Sequence, residues 1–393
     1  MSNEVRLLIN DNVDVKKMLN DGLLKKKDHD FKSIVFDVSK PKKEHFEALS
    51  LLTNILKKKT VQHLKLVNGI IRRSDGTPGF YEPPKALLEL FGAEPIESLE
   101  IYSNNITNAR FLLIMNFRND VLTHLNLSHN KLEIESVKLI AKRIKDGHLP
   151  ALVYLNMEYN RIISFDSLSC YFHQFHTLLL GYQDFAVYTE RIQYEFKDIK
   201  FNRKLKRFSL NIFECEVNIF TTNVLWLCRG IDELTVNINS SNDKKNIYYS
   251  SFFTSFTFFD SSLSCLFIIM PVGNLARLTE FAKAVNHSSI SFLHLRLDGA
   301  ETCKSGLLMK SLYDIIFNDN SNITHFSLSC VKGINPNVEA LIPVMANGIL
   351  DYVEIYNYNA KPETIKNVNY FIKEHEDKEF IIWDEEKNTL INN

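Results

Sequence analysis

The chain has 393 residues, 45% of them hydrophobic and 24% charged, with 46 basic and 47 acidic side chains and a formal net charge of −1. That is the composition of a folded, soluble protein, and it supplies no global field favouring nucleic acid or an anionic membrane. The opening MSNEVRLLINDN holds no signal-peptide core, and no stretch approaches the roughly 18 apolar residues of a membrane span. Six scattered cysteines (Cys170, Cys215, Cys228, Cys265, Cys303, Cys330) lack paired spacing, which predicts a reducing, cytoplasmic compartment.

Residues 1–30 read as an N-terminal cap or a degenerate first repeat, the short VRLLIN run followed by an amphipathic helix and a lysine-rich exit. From Phe31 onward a triplet of large apolar residues recurs at relative positions 0, 3 and 5. Its starts are Phe31, Val61, Ile96, Leu122, Leu152, Phe175, Leu205, Ile231, Leu263, Ile290, Ile323 and Leu350. They span 319 residues over 11 intervals, so 29 per repeat. Apolar residues at positions 18 and 22, such as Ile140 and Ile144, Phe281 and Val285, or Leu341 and Met345, mark the buried face of a helix. Each unit therefore reads as strand, turn, helix, turn across residues 31–375. Residues 376–393 follow as a last short strand, FIIWD, and an acidic tail.

The clearest copy is VLTHLNLSHNKL, residues 121–132, where Leu122, Leu125 and Leu127 are followed by Asn130 and Leu132. This L-x-x-L-x-L-x-x-N-x-L pattern, with its period and helix, resembles the ribonuclease-inhibitor-like class of leucine-rich repeats. The resemblance implies an α/β horseshoe solenoid of about twelve repeats, with parallel strands on the concave face and helices on the convex face. It also implies that the position-8 residues Asn104, Asn130, Asn160 and Asn239 are structural, satisfying backbone groups in the turns. Position 8 is degenerate elsewhere, as at Phe213, Pro271, Asp298, Val331 and Tyr358. The class is a general binding scaffold, so function has to be argued from the surface.

Positions 2, 4 and 6 of each strand are expected on the concave face. There Tyr102, Tyr154, Tyr352 and Tyr356 offer the amphipathic rings common at interface hot spots. With His124, Asn126, Asn156, Glu158, Arg296 and Glu354 they form the candidate partner-binding set. Charges on this face are sparse and mixed in sign, so no polyphosphate groove is expected.

Three places break the period. Residues 72–84, RRSDGTPGFYEPP, form a Gly/Pro-rich rim loop, read either as a spacer or as a binding loop. The unit after Leu152 is too short for a full helix. The unit after Ile231 carries Phe252, Phe253, Phe256, Phe258 and Phe259, read as core packing or as an exposed docking patch. Cys170-x-x-His173-x-x-His176 has metal-like residue types but no second pair nearby, whereas a zinc site needs about four ligands. No phosphate-loop, dinucleotide, nucleophile-elbow or zincin motif is present. No catalytic residue, metal or cofactor is expected.

The function expected is a non-enzymatic protein–protein interaction scaffold without a membrane span. The tail, with Glu385 and Glu386 shortly before Leu390 and Ile391, is similar to the C-terminal translocation signals of effectors that intracellular bacterial pathogens deliver through a type IV system. That resemblance implies action on a host protein in the host cytoplasm. Two other readings stay open: a cytosolic adaptor or regulator in its own cell, and an enzyme or zinc protein using Cys170, His173 and His176.

Overall fold

The computed structural model describes residues 4–8, 31–38, 61–68, 70–72, 78–80, 85, 88–89, 91, 95–102, 105–116, 118–183, 196–239, 249–257, 262–271, 275–298, 306–330, 335–356, 358–383 and 390. Two compact units divide the chain, Met1–Lys200 and Phe201–Asn393.

In the first unit, β1 (Glu4–Leu8), β2 (Phe31–Val38), β3 (Val61–Asn68), β6 (Ser98–Tyr102), β7 (His124–Asn126), β8 (Tyr154–Asn156) and β9 (Thr177–Leu179) lie side by side in that order. All their pairings are parallel. The rim segment supplies a separate antiparallel pair, β4 (Ile70–Arg72) with β5 (Pro78–Phe80). Residues 73–77 and 81–84 of that loop fall outside the described residues, as do residues 9–30 of the expected cap.

The second unit repeats the plan with β10 (Arg207–Phe213), β11 (Glu233–Asn239), β12 (Cys265–Pro271), β13 (Phe292–Asp298), β14 (His325–Ser329), β15 (Tyr352–Tyr356) and β16 (Glu379–Ile382), again parallel throughout. Parallel neighbours need a crossover, and helices supply it. The longest are α1 (Asn108–Met115) and α2 (Ile134–Lys145) in the first unit. In the second they are α3 (Ser250–Ser255), α4 (Leu275–Asn286), α5 (Gly306–Ile316), α6 (Leu341–Ala346) and α7 (Pro362–Glu374). No helix among the described residues is long and apolar enough to cross a membrane.

The apolar triplets make the core. Every residue of the eleven triplets from Val61 to Leu350 is 2% exposed or less. Their position-3 members pair strand to strand: Leu64 with Leu99, Leu125 and Leu155 in turn, and Phe208 with Leu234, Leu266, Leu293, Phe326 and Val353. Because strand side chains alternate, this register puts positions 3 and 5 under the helices and turns positions 2, 4 and 6 to the opposite, open face. Opposite them, Ile140, Phe281, Val285, Leu341, Met345 and Val368 are buried from the helical side. The short unit after Leu152 contracts its helix to Asp166–Ser169 and a single 3-10 turn, Phe172–Gln174.

The turns separate two repeat types. In the first unit Asn130 donates through Nδ2 to the carbonyls of Leu127, Ser128 and the preceding repeat's Ile101 at 2.7–3.2 Å, and its Oδ1 accepts from Ile106 N–H. Asn160 repeats this with Met157, Glu158, Leu127 and Leu132, all at 3.0–3.1 Å. Gln183, one methylene longer, makes the same four bonds for the next repeat. The bonded turn ends β7, β8 and β9 after three residues. Asn239 differs: it is the last residue of the seven-residue β11, and its Nδ2 is buried with no hydrogen-bond partner among the described residues. In β10, β12 and β13 likewise the strand runs on through position 8, to Phe213, Pro271 and Asp298. Asn104 lies outside the described residues.

Candidate functional site

The open face of the second unit is aromatic. Five adjacent strands present, in register, Phe267 from β12, Phe292 and His294 from β13, His325 from β14, Tyr352 and Tyr356 from β15, and Trp383 just past β16. Strand spacing of about 4.8 Å brings rings on neighbouring strands into contact. Phe267 lies 5.3 Å from Phe292 and 5.4 Å from His294, Phe292 lies 6.0 Å from His325, and His325 lies 5.6 Å from Tyr352, centroid to centroid. Tyr356 and Trp383 are parallel within 3° at 6.0 Å. Apart from the exposed His325, these side chains are half-buried, their neighbours covering part of each ring and leaving the rest to solvent.

Glu354 sits at the centre of the Tyr–Trp group. Its carboxylate accepts from Tyr352 Oη at 3.0 Å and Trp383 Nε1 at 2.6 Å, and from the Tyr356 hydroxyl. Burial, with the adjoining carboxylate next, pushes the Tyr356 phenol up to about 12 and raises that of Tyr352 as well. Both hydroxyls remain donors at neutral pH, so the three rings are held in one arrangement.

His294 is wedged beside this group. Nδ1 contacts Ser327 Oγ at 2.8 Å and Nε2 contacts Ser329 Oγ at 3.1 Å, with the Phe267 ring on one side. Burial holds its imidazole down at about 4, against the opposing pull of Glu354, so it is neutral at physiological pH. Arg296 extends from the next position of β13 and bonds Asp298 at 3.1 Å.

Of the sequence-predicted site residues, Tyr352, Glu354, Tyr356 and Arg296 thus belong to this face. Phe267, Phe292, His294 and His325 occupy projected open-face positions, but the tyrosine criterion passed over them. Trp383 was missed because position 0 of its strand is Asp377, which fails an apolar triplet search.

The other predicted residues lie in the first unit. His124 stacks on Tyr154 at 5.3 Å, and Lys65 pairs with Glu100 at 2.8 Å. Asn126 turns its Oδ1 back to the Ser128 N–H and Oγ. Asn156 does the same to Glu158 N–H and is only 8% exposed. Tyr102 begins a second column, on the turn rim, of Tyr102, His129, Tyr159 and Tyr182 with centroid spacings of 4.6, 4.1 and 5.0 Å. His129, Tyr159 and Tyr182 all stand at position 7 with φ near +55°, the left-handed conformation that L residues avoid. That position was not projected from the sequence, although the run His, Tyr, Tyr was there to be read.

No group of three His, Cys, Asp or Glu side chains among the described residues is placed to hold a metal, and Cys170, His173 and His176 form no such group. None of the described cysteines is in a disulfide. Burial pushes the Cys228 and Cys265 thiols up to about 12, as expected of cysteines used as small hydrophobes. Phe252, Phe253 and Phe256 are core residues, packed against Phe220, Tyr249 and Phe281; Phe258 and Phe259 lie outside the described residues. No family model matches the chain, and no curated protein matches it in sequence.

Proposed function

We propose that the chain is a leucine-rich-repeat protein of the ribonuclease-inhibitor-like class. In this reading it is a non-enzymatic scaffold that binds a partner protein on the open face of its second unit. The observation that carries it is the continuous set of half-exposed rings from Phe267 to Trp383. Large rings with few rotatable bonds dominate interface hot spots because they bury much area at small entropic cost. Here packing and the Glu354 hydrogen bonds order them in advance, which lowers that cost further. The setting we propose is a bacterial effector acting on a host protein, supported by the glutamate pair Glu385 and Glu386 ahead of Leu390 and Ile391.

The test is affinity capture from a eukaryotic lysate with the wild-type chain, a Phe292→Ser/Tyr356→Ser/Trp383→Ser variant, and a first-unit Tyr102→Ser/Tyr154→Ser variant. A partner retained by the second variant and lost with the first is expected. A partner retained by the folded second-unit variant would overturn the assignment. The setting is tested separately by fusing the last 30 residues to a translocation reporter, where absence of transfer would favour an adaptor in its own cell.

A further inference from the structure

We propose that a second surface, built from Phe201, Arg203, Lys204, Trp226 and Arg229, docks this chain on an anionic lipid bilayer. It is independent of the aromatic face and belongs to the first repeat of the second unit. Exposed apolar side chains carry meaning where they cluster, and here Phe201 is 55% exposed and Trp226 43%.

Two backbone segments converge to place them together. Asn202 N–H donates to Leu227 C=O at 2.8 Å. Gly230 passes so close to Arg203 that a Cβ there would lie 2.3 Å from the Arg203 carbonyl oxygen, so no other residue fits. The Asn202 side chain, 3% exposed, accepts from the N–H groups of Lys204 and Leu205 and fixes the loop from within.

The exposed rings are interleaved with cations. The Arg203 guanidinium lies 5.6 Å from the Phe201 ring centre, and Arg229 Nε donates to the Trp226 carbonyl at 3.1 Å. Lys204 and Arg229 are exposed as well. Two nearby acids pair with other cations, Asp232 with Lys206 at 3.3 Å and Glu233 with Arg207 at 2.5 Å. A net charge of −1 for the whole chain therefore conceals a local cationic, aromatic surface.

That chemistry fits a lipid headgroup layer. Trp and Phe enter at the headgroup level while Arg and Lys meet the phosphates. Single-stranded nucleic acid, the other polyanion, needs a charged groove with rings for successive bases, where only two exposed rings, Phe201 and Trp226, are offered by these loops.

The experiment is sedimentation of the full chain with vesicles of phosphatidylcholine, with and without 30 mol% phosphatidylserine. The emission of Trp226 is followed in parallel, with Trp226→Phe leaving Trp383 as the internal control. Binding to the anionic vesicles only is expected, with a blue shift that Trp226→Phe abolishes. Each cation contributes about a fivefold factor at such a surface, so Arg203→Gln/Lys204→Gln/Arg229→Gln should bind on the order of 100-fold more weakly. Phe201→Ser/Trp226→Ser should also weaken it, whereas Lys138→Gln/Lys142→Gln/Lys145→Gln, removing the same charge from α2, should not. All these side chains are exposed, and unchanged thermal melts would show the variants folded. No sedimentation, equal sedimentation with neutral vesicles, or a triple Gln variant no weaker than the α2 control would overturn the proposal. So would tight binding of an oligothymidylate, or self-association, through the same residues.

Discussion

Asn160 and Asn239 occupy the same position of the repeat, yet replacing each by Leu should have unequal consequences. Asn160 is fully buried and makes four bonds at 3.0–3.1 Å. Leu keeps the approximate volume and removes all four. Leu132 N–H then loses its acceptor, while the carbonyls of Leu127, Met157 and Glu158 each lose one donor and keep another, from Asn130 Nδ2, Gln183 Nε2 and His129 N–H. The orphaned N–H costs about 1–3 kcal/mol and each other lost bond about 0.5–1.5 kcal/mol, and partial relaxation puts the total at about 3 kcal/mol. In a unit of this size each kcal/mol moves the melting temperature by about 2–4 °C, so Asn160→Leu should lower it by roughly 6–12 °C. Asn239, with an amide nitrogen that already lacks a partner among the described residues, should lose less than about 1 kcal/mol on the same change. The assay is scanning calorimetry supported by native-state hydrogen exchange, with the Asn160→Leu loss confined to amides of the first unit. Equal shifts for the two variants, or less than about 1 kcal/mol for Asn160→Leu, would refute the argument that the bonded amide defines one repeat type.

Three other expectations follow from the second unit. Arg277 bonds Glu214 at 2.9 Å and lies 4.1 Å over the Tyr249 ring, with both charged side chains mostly buried. Arg277→Ala should therefore cost about 3–5 kcal/mol in urea denaturation by leaving the carboxylate without its guanidinium. Phe252, fully buried among Phe220, Tyr249, Phe253 and Phe256, should cost about 3–5 kcal/mol on truncation to Ala, where an exposed docking ring would cost almost nothing. The third concerns pH. The folded His294 titrates near 4 and the unfolded one near 6.5, so between those values the unfolded chain binds more protons. Stability should therefore fall as pH drops from about 6.5 to about 4, by up to about 3 kcal/mol, and His294→Asn should flatten that part of the profile in urea denaturation.

The strand register was legible from residue types alone. A triplet of large apolar residues at relative positions 0, 3 and 5 has few alternative placements once neighbouring strands must bury their triplets together. Leu64, Leu99 and Leu125 accordingly stand opposite one another in the sheet. The turns were less legible, because Asn at position 8 has two outcomes. Asn130 and Asn160 reach carbonyls of the preceding repeat, while Asn239 continues a strand whose neighbours also carry on past the turn. Gln183 does the work of Asn under a different letter. The aromatic face was legible by position and only in part by residue type: weighting tyrosines selected Tyr352 and Tyr356 but passed over Phe267, Phe292 and His325, whose rings adjoin them. Asn156 shows the converse, a residue on the projected face whose side chain is spent on its own backbone.

The central claim, that the open face of the second unit is the partner-binding surface, is tested most directly by hydroxyl-radical footprinting of the chain alone and in complex with the captured partner. Protection concentrated on Phe267, Phe292, Tyr352, Tyr356 and Trp383, with the Tyr102–Tyr182 column unchanged, is the result predicted. Protection of that column, or of neither surface, in a complex that has formed would contradict it.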